Sequence, residues 1–190
     1  MAAALSSVLT SAELPLAELH AARLDGELMP LGFGFCPIDL PEDPALRALS
    51  LRGAVPERVI AEQHTAAWIW GALAAAPARH TLCVAAEARV SRAPIAWAQL
   101  REVSIEEHEL AMLAGLRLTT PLRTAFDLAR WQHPFTAQDA EALRQLAAVG
   151  GFGPRELIER TREGRNLPHR RRTLARIDAV LSAGTVLSSS

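Results

Sequence analysis

Lysine and tyrosine are absent from this chain, and all 20 of its cationic residues are arginine. Without lysine there is no Walker P-loop, which needs that side chain at the β- and γ-phosphates. There is no Schiff base to pyridoxal phosphate, and no nuclease centre of the D…ExK pattern. Arginine in place of lysine, with an excess of alanine, is what a GC-rich coding bias produces. Cysteine is scarce as well. Cys36 and Cys83 lie far apart and in no CxxC pattern, too few for a disulfide framework or a structural zinc site. Both are expected as small buried side chains. Long apolar runs are missing too. The longest uncharged stretch, Gln63 to Ala78, has 16 residues and contains His64 and Pro77, short of the ~20 that span a bilayer. No positive charge precedes Arg23, so the first residues do not read as a signal peptide. A soluble cytoplasmic protein without a membrane partner is expected.

What is present is a globular composition: 190 residues, 49% hydrophobic and 22% charged. This suits one domain, or a small module fused to a larger one. The abundant alanine favours helix, because it loses no side-chain entropy there. The net charge of −1 is unevenly spread. Through Gly153 there are 12 Arg against 17 Asp and Glu, a net −5; from Pro154 onward there are 8 against 4, a net +4. A basic end on an acidic body points to an anionic partner.

Along the chain, Ser11 with Glu13 and Pro15 predicts a capped helix to about Leu24, stopped by Asp25-Gly26. Leu31, Phe33 and Phe35 alternate with Gly32 and Gly34, as in a short hairpin arm. The segment Asp39 to Pro44 holds two prolines and three acids and reads as a linker. The predicted units are therefore residues 1–43, an N-terminal module, and 44–187, a core with basic C-terminal helices. A helix is expected near Pro44 to Leu51 and a brief extended stretch near Arg58 to Ile60. Gln63 to about Leu73 is apolar nearly all round, which marks a buried central helix. His80–Ala86, Ile95–Val103, and two short runs flanking Gly115 predict a sheet of three or four strands.

Thr120 and Pro121 then cap and open a helix whose core stripe is Leu122, Ala125, Phe126 and Ala129, with Leu128 and Trp131 on a second apolar side. Thr136 and Asp139 are spaced as a capping box for the next helix, which Gly150 to Gly153 break. Pro154 and Pro168 start two more. The fold class expected is α+β and helix-rich, with a small mixed sheet, a central buried helix and a C-terminal helical group.

Two blocks carry a family resemblance. The first is Thr65-Ala66-Ala67-Trp68-Ile69-Trp70-Gly71-Ala72-Leu73, followed by the strand-like His80-Thr81-Leu82-Cys83-Val84. The second runs Gly115-Leu116-Arg117-Leu118-Thr119-Thr120-Pro121-Leu122-Arg123-Thr124-Ala125-Phe126-Asp127-Leu128-Ala129. In order and spacing they resemble the AbiEi-like type IV antitoxins and their actinobacterial relatives, over roughly a third of the chain. The resemblance implies a DNA-binding autorepressor with an N-terminal winged helix-turn-helix. It also implies an antitoxin that counteracts a nucleotidyltransferase toxin without a stable complex. Some relatives carry a Vsr-like endonuclease domain after the core. The sequence differs in three places. Glu62-Gln63 stands where the family has Ser-His. The N-terminal part has room for one helix and a wing-like arm, a reduced winged helix. No endonuclease pattern follows the core.

Candidate site residues fall in two groups. Thr65, Trp68, Thr120, Pro121, Arg123, Thr124 and Asp127 are family-motif positions, expected to be structural. Arg123, Asp127 and Arg130 lie at helical spacing, either as a partner-binding or catalytic ion cluster or as a helix-surface ion network that also anchors Arg123 against a neighbouring loop. His20 and Arg23 on the first helix, and Arg165, Arg171, Arg172 and Arg176 at the basic end, are the DNA-binding candidates. From Pro168, Leu174, Ile177 and Leu181 share one helix face and His169, Arg172 and Arg176 the opposite one. That stripe is either an anion-binding face, since the planar guanidinium bonds two phosphate oxygens, or an ordinary solvated face. The first helix, with Glu13 and Glu18 beside its cations, is nearly neutral, which gives DNA binding by that module little support.

No nucleophile–base pair emerges beyond the neighbours His64 and Thr65. Glu106-Glu107-His108-Glu109 reads as a solvated turn. No catalytic residue, metal or cofactor is expected. The leading expectation is a non-enzymatic antitoxin or antitoxin-derived regulator whose partners are DNA or RNA and a toxin. The alternatives are an orphan interaction module and the remnant of an endonuclease-linked protein.

Overall fold

The computed structural model describes residues 7–86, 95–163 and 168–182. The first helix begins later than Ser11 predicts. Thr10, not Ser11, supplies the organising hydroxyl: its amide and its Oγ1 both donate to Glu13 Oε2, at 2.7 and 2.6 Å. This closes a separate turn. Pro15 has no N–H and biases Leu14 away from helical geometry, so α1 (Leu16–Leu24) starts only after it and has no side-chain cap.

The hairpin forms as expected, β1 (Leu28–Leu31) against β2 (Gly34–Pro37), with Leu31 opposite Gly34. Gly32, in the turn, has φ +54°, and a methyl group there would lie 2.9 Å from Ser50 Cβ. Ser50 belongs to α2 (Pro44–Arg52), whose N-cap Asp43 accepts a bond from the Leu46 amide at 2.7 Å. The Phe33 amide donates to Ser50 O at 3.2 Å. Gly32→Ala combines a left-handed backbone with a buried clash. It is expected to cost about 2 kcal/mol in urea unfolding; an unchanged midpoint would show that the hairpin does not depend on this close approach.

The main sheet has five strands where three or four are predicted. Its order is β5 (Ala98–Val103), β4 (His80–Ala85), β3 (Ile60–Ala61), β7 (Leu116–Thr119), β6 (Leu110–Leu113). Pairing is mixed: β4 runs parallel to β5 and antiparallel to β3, and β7 runs parallel to β3 and antiparallel to β6. The extra strand, β3, overlaps the extended stretch predicted near Arg58 to Ile60 only at Ile60. Two residues give no periodicity, but Ala61 bonds between Leu82 and Leu118 and so joins the two halves.

α3 (Gln63–Ile69) is the central buried helix, with every residue buried except His64. It ends earlier than Leu73, because Gly71 at φ +84° turns the chain out. It packs on β4 and on α4 (Pro121–Trp131). α4 is buried all round from Arg123 to Ala129, which exceeds the two apolar sides expected of it. Its Thr120 cap accepts from the Arg123 amide at 3.3 Å. The predicted capping box of α5 (Ala137–Gly150) is present in both directions between Thr136 and Asp139, and Gly151 at φ +65° ends that helix. α6 (Pro154–Glu163) and α7 (Arg170–Ile177), with a π-helical turn at Asp178–Ser182, complete the C-terminal group around α4.

One apolar cluster runs from Val8, Leu31 and Cys36 through Trp68, Leu82, Leu118 and Phe126 to Leu157 and Ile177; Leu9, Leu19 and Leu28 form a smaller one under α1. The protein is α+β, with a helix and hairpin arm preceding the mixed sheet and its helices. Among the described residues no helix is long and apolar enough to cross a membrane.

Candidate functional site

The family-motif residues converge where α4 meets the sheet. Thr119, Thr120 and Pro121 end β7 and start α4, and Thr124 Oγ1 bonds Thr119 Oγ1 at 2.7 Å and Thr120 O at 2.8 Å. This fixes the first turn of α4 and delivers Arg123 inward. Arg123 Nε donates to Asp127 Oδ2 at 2.8 Å, its Nη1 to Glu109 Oε2, and its Nη2 to Ser104 O at 3.3 Å. The three side chains are 6%, 1% and 5% exposed. The surface ion network considered for Arg123 and Asp127 is therefore a buried one.

Glu109 corrects the reading of its segment. Glu106, Glu107 and His108 are exposed as expected, but Glu109 is buried. It closes a capping box with Glu106 and takes Arg160 Nε and Nη2 on its second oxygen at 2.9 and 2.7 Å. Burial opposes its charge. The Glu106 amide, Arg123 and Arg160 outweigh that and hold its carboxyl below the usual range. A small cleft of about 50 Å³ opens beside it, lined by His108, Glu109, Thr120, Leu122, Arg123 and Arg160. That volume admits a few waters or one small anion.

A second buried carboxylate was not foreseen as part of any site. Glu62, at 0% exposure, accepts Arg101 Nε and Nη2 in a two-pronged pair, each at 2.6 Å. Burial nevertheless pushes its pKa up, against the pull of Arg101. Cys83 lies in the same field, and its thiol is pushed up by burial first and by Glu62 after it. Both cysteines are free and buried, as expected.

At the other motif block, Thr65 and His64 diverge. Thr65 Oγ1 lies 3.2 Å from His80 Nδ1 and accepts from the Thr81 amide at 2.8 Å, tying α3 to β4. His64 Nε2 lies 2.6 Å from Asp139 Oδ1, tying α3 to the α5 cap. The two do not form a nucleophile–base pair. Burial lowers the pKa of His80. Trp68 is buried between Arg47, 5.5 Å from its ring centre, and the His80 ring. Among the described residues no cluster of three or more His, Cys, Asp or Glu is arranged to hold a metal ion.

The basic candidates separate. His20 and Arg23 are exposed on α1, and His20 stands edge-on to Phe35. Arg165 lies outside the described residues. Arg171 is exposed, but Arg172 and Arg176 are half-buried. The outward stripe is corrected here. Arg172 Nη2 donates to Arg130 O at 3.3 Å, and Arg176 Nη1 to Ala129 O at 2.8 Å. The last turn of α4 presents unbonded carbonyls and the negative end of the helix dipole, which draws these cations inward. Leu174 is only half-buried, and Thr173, Ile177 and Val180 face the core.

This is an α+β core built on buried arginine–carboxylate pairs, and its sequence defines its class. The family model described as the AbiEi antitoxin C-terminal domain matches residues 59–177, well over half of the chain. The chain belongs to that antitoxin family. No curated protein matches it. Among solved structures it is similar to the crystal structure of the RV2827C protein from Mycobacterium tuberculosis. That likeness has a TM-score of 0.48 and 18% identity, and covers 93% of this chain and 76% of the other.

Proposed function

We propose that this chain is a non-enzymatic antitoxin or antitoxin-derived regulator of a type IV system, counteracting a nucleotidyltransferase toxin and binding its own promoter DNA. The family match over residues 59–177 carries the reading. It spans both motif blocks, which the fold uses to build one core: Thr65 and Trp68 in α3, and Thr120, Pro121, Arg123, Thr124 and Asp127 around α4. In this reading those positions hold the core together. Residues 44–187 are the antitoxin unit, and residues 1–43 are a reduced winged-helix-like module that presents His20 and Arg23 from α1. The basic end supplies Arg165, Arg171, Arg172 and Arg176 for phosphate contacts. The protein acts in the cytoplasm.

The test is co-expression with a nucleotidyltransferase encoded beside its gene, together with a reporter driven by the upstream DNA. Restored growth, repression of the reporter, and separate elution of the two proteins on a sizing column are expected. Growth arrest unrelieved by the folded protein would overturn the antitoxin reading. A reporter unmoved at any expression level would overturn the promoter reading.

A further inference from the structure

Three guanidinium groups at the C-terminal end of α4 have no carboxylate partner among the described residues: Arg130, Arg172 and Arg176. The α4 carbonyls account for one nitrogen each of Arg172 and Arg176, and leave the Arg172 Nε buried without a partner. They do not account for Arg130. Arg130 is half-buried on the same turn, and its Nε is buried without a partner. It stacks 4.3 Å from the Trp131 ring centre and 5.8 Å from that of Phe126. The carboxylate whose charge reaches it, Asp127, is bonded through Oδ2 to Arg123, and the Asp127 Oδ1 is buried without a partner. Burial chiefly, and the cations Arg123, Arg101 and Arg160 as well, outweigh Asp127 and pull its pKa below the usual arginine value.

The surrounding charge is unbalanced. Arg101, Arg123, Arg130, Arg160, Arg172 and Arg176 face Glu62, Glu109, Asp127 and Asp139, six cations against four anions, and Asp139 is itself engaged by His64. No carboxylate among the described residues pairs with Arg130, which is held by stacking on Trp131 and Phe126, and keeping a cation there, half out of water among like charges, is destabilising. A focus of this kind concentrates anions.

The aromatic setting narrows the ligand. Trp131 is 36% exposed, with Arg101 5.5 Å and Arg130 4.3 Å from its centre and the His169 ring edge-on at 5.9 Å. Arg170 and Arg171 continue the charge, exposed, from the start of α7. Guanidinium forks beside an aromatic ring suit a phosphate next to an unpaired base. An acidic protein surface has no use for the ring.

We propose that Arg130, with Arg172 and Trp131, forms a phosphate site for a nucleic-acid strand with unpaired bases. The site rests on the nucleic-acid half of the function proposed above and not on its antitoxin half. The test is a titration of the full chain, followed by tryptophan fluorescence and by anisotropy of a labelled single-stranded oligonucleotide at several salt concentrations. Duplex DNA, a free nucleotide, inorganic phosphate and polyglutamate serve as competitors. Wild type is expected to bind the single strand. Arg130→Met is expected to weaken binding about 10-fold or more and to lower the log–log salt slope by about 0.7. Arg130→Lys, which keeps the charge and loses the fork, falls between. The melting temperature of Arg130→Met should equal or exceed that of wild type. Arg172→Met, a second variant at the site, weakens binding as well, and Arg58→Gln, on an exposed residue elsewhere, leaves it unchanged.

Binding by Arg130→Met and Arg172→Met equal to wild type would overturn this site alone. No nucleic-acid binding by folded wild type at low salt would overturn both the site and the promoter reading, leaving the antitoxin reading standing. Displacement by polyglutamate as effective as by the strand would assign the patch to an acidic protein. A free nucleotide binding as tightly as the strand would overturn the assignment to a strand.

Discussion

Arg123→Met is expected to destabilise the protein by about 3–5 kcal/mol at neutral pH, the cost of breaking a buried ion pair and leaving its partners charged. Arg123 is the cation on which Glu109 and Asp127 converge, and neither carboxylate is more than 5% exposed. Glu109 keeps Arg160; Asp127 keeps no hydrogen-bonded cation among the described residues, only the fields of Arg101 and Arg130, and its Oδ1 is already buried without a partner. At a few degrees per kcal/mol, the melting temperature should fall on the order of 10 °C. The sign with pH follows from Glu109. Its folded pKa lies below its unfolded value of ~4.3. Its ionisation therefore stabilises the fold fully above that value, and the contribution is lost as pH falls through the lower folded value. The difference between wild type and Arg123→Met should shrink in that acid window. A melting temperature within a degree of wild type at pH 7 would show that the pairs are replaceable by an apolar side chain of similar size.

Arg101→Met should cost a comparable amount, about 3–5 kcal/mol, with a different pH window and a telling asymmetry. Glu62 is fully buried, and Arg101 is the cation that pairs with it. Removing Arg101 leaves a carboxylate that must stay charged out of water or take up a proton. Burial already holds the Glu62 pKa above its ordinary value with Arg101 in place. A raised pKa contributes stability that is present below the unfolded value of ~4.3 and lost as pH rises through the folded value. Arg101→Met should therefore regain stability as pH is lowered from 8 towards 5, a range in which Glu109 contributes no slope. Glu62→Gln should cost far less, because the Arg101 side chain is 22% exposed and lies over Trp131. Urea unfolding of both variants at pH 5 and pH 8 checks this. Equal costs for the two, or a cost independent of pH, would mean that the pair is not held as charge against charge.

These two pairs also mark where the sequence could be read and where it could not. Thr120 with Pro121, and Thr136 with Asp139, were legible because a cap is decided within four residues by hydrogen bonds to its own helix. The hairpin at Gly32 and the turn at Gly115 were legible because side-chain alternation and glycine report the backbone directly. Arg123 and Asp127 were placed together by helical spacing, but whether water reached them was not in that spacing. Glu109 was misread because its three predecessors are solvated. The one local signal of its inward turn was the Glu106-to-Glu109 capping interval, which is also common at surfaces. In the sequence Glu62 stands out only as a departure from the family's Ser-His. Its partner Arg101 is 39 residues away, on a strand that β4 separates from β3.

The same division holds for the basic end. Composition alone established that its charge is arginine and that it differs in sign from the body of the chain. Helical periodicity set Arg172 and Arg176 opposite Leu174, Ile177 and Leu181 and implied that they face water. Packing decided otherwise, because the unbonded carbonyls that end α4 lie beside α7 and attract them. By itself the sequence determined most of the elements, the caps at Thr120 and Thr136 and the family to which they belong, since these depend on bonds between near neighbours and on periodicity. Only the tertiary structure decided which charges are buried, which pair, and which, Arg130 among them, stand without a carboxylate partner among the described residues. Burial and long-range pairing are set by segments far apart in sequence that meet only when the sheet and helices pack.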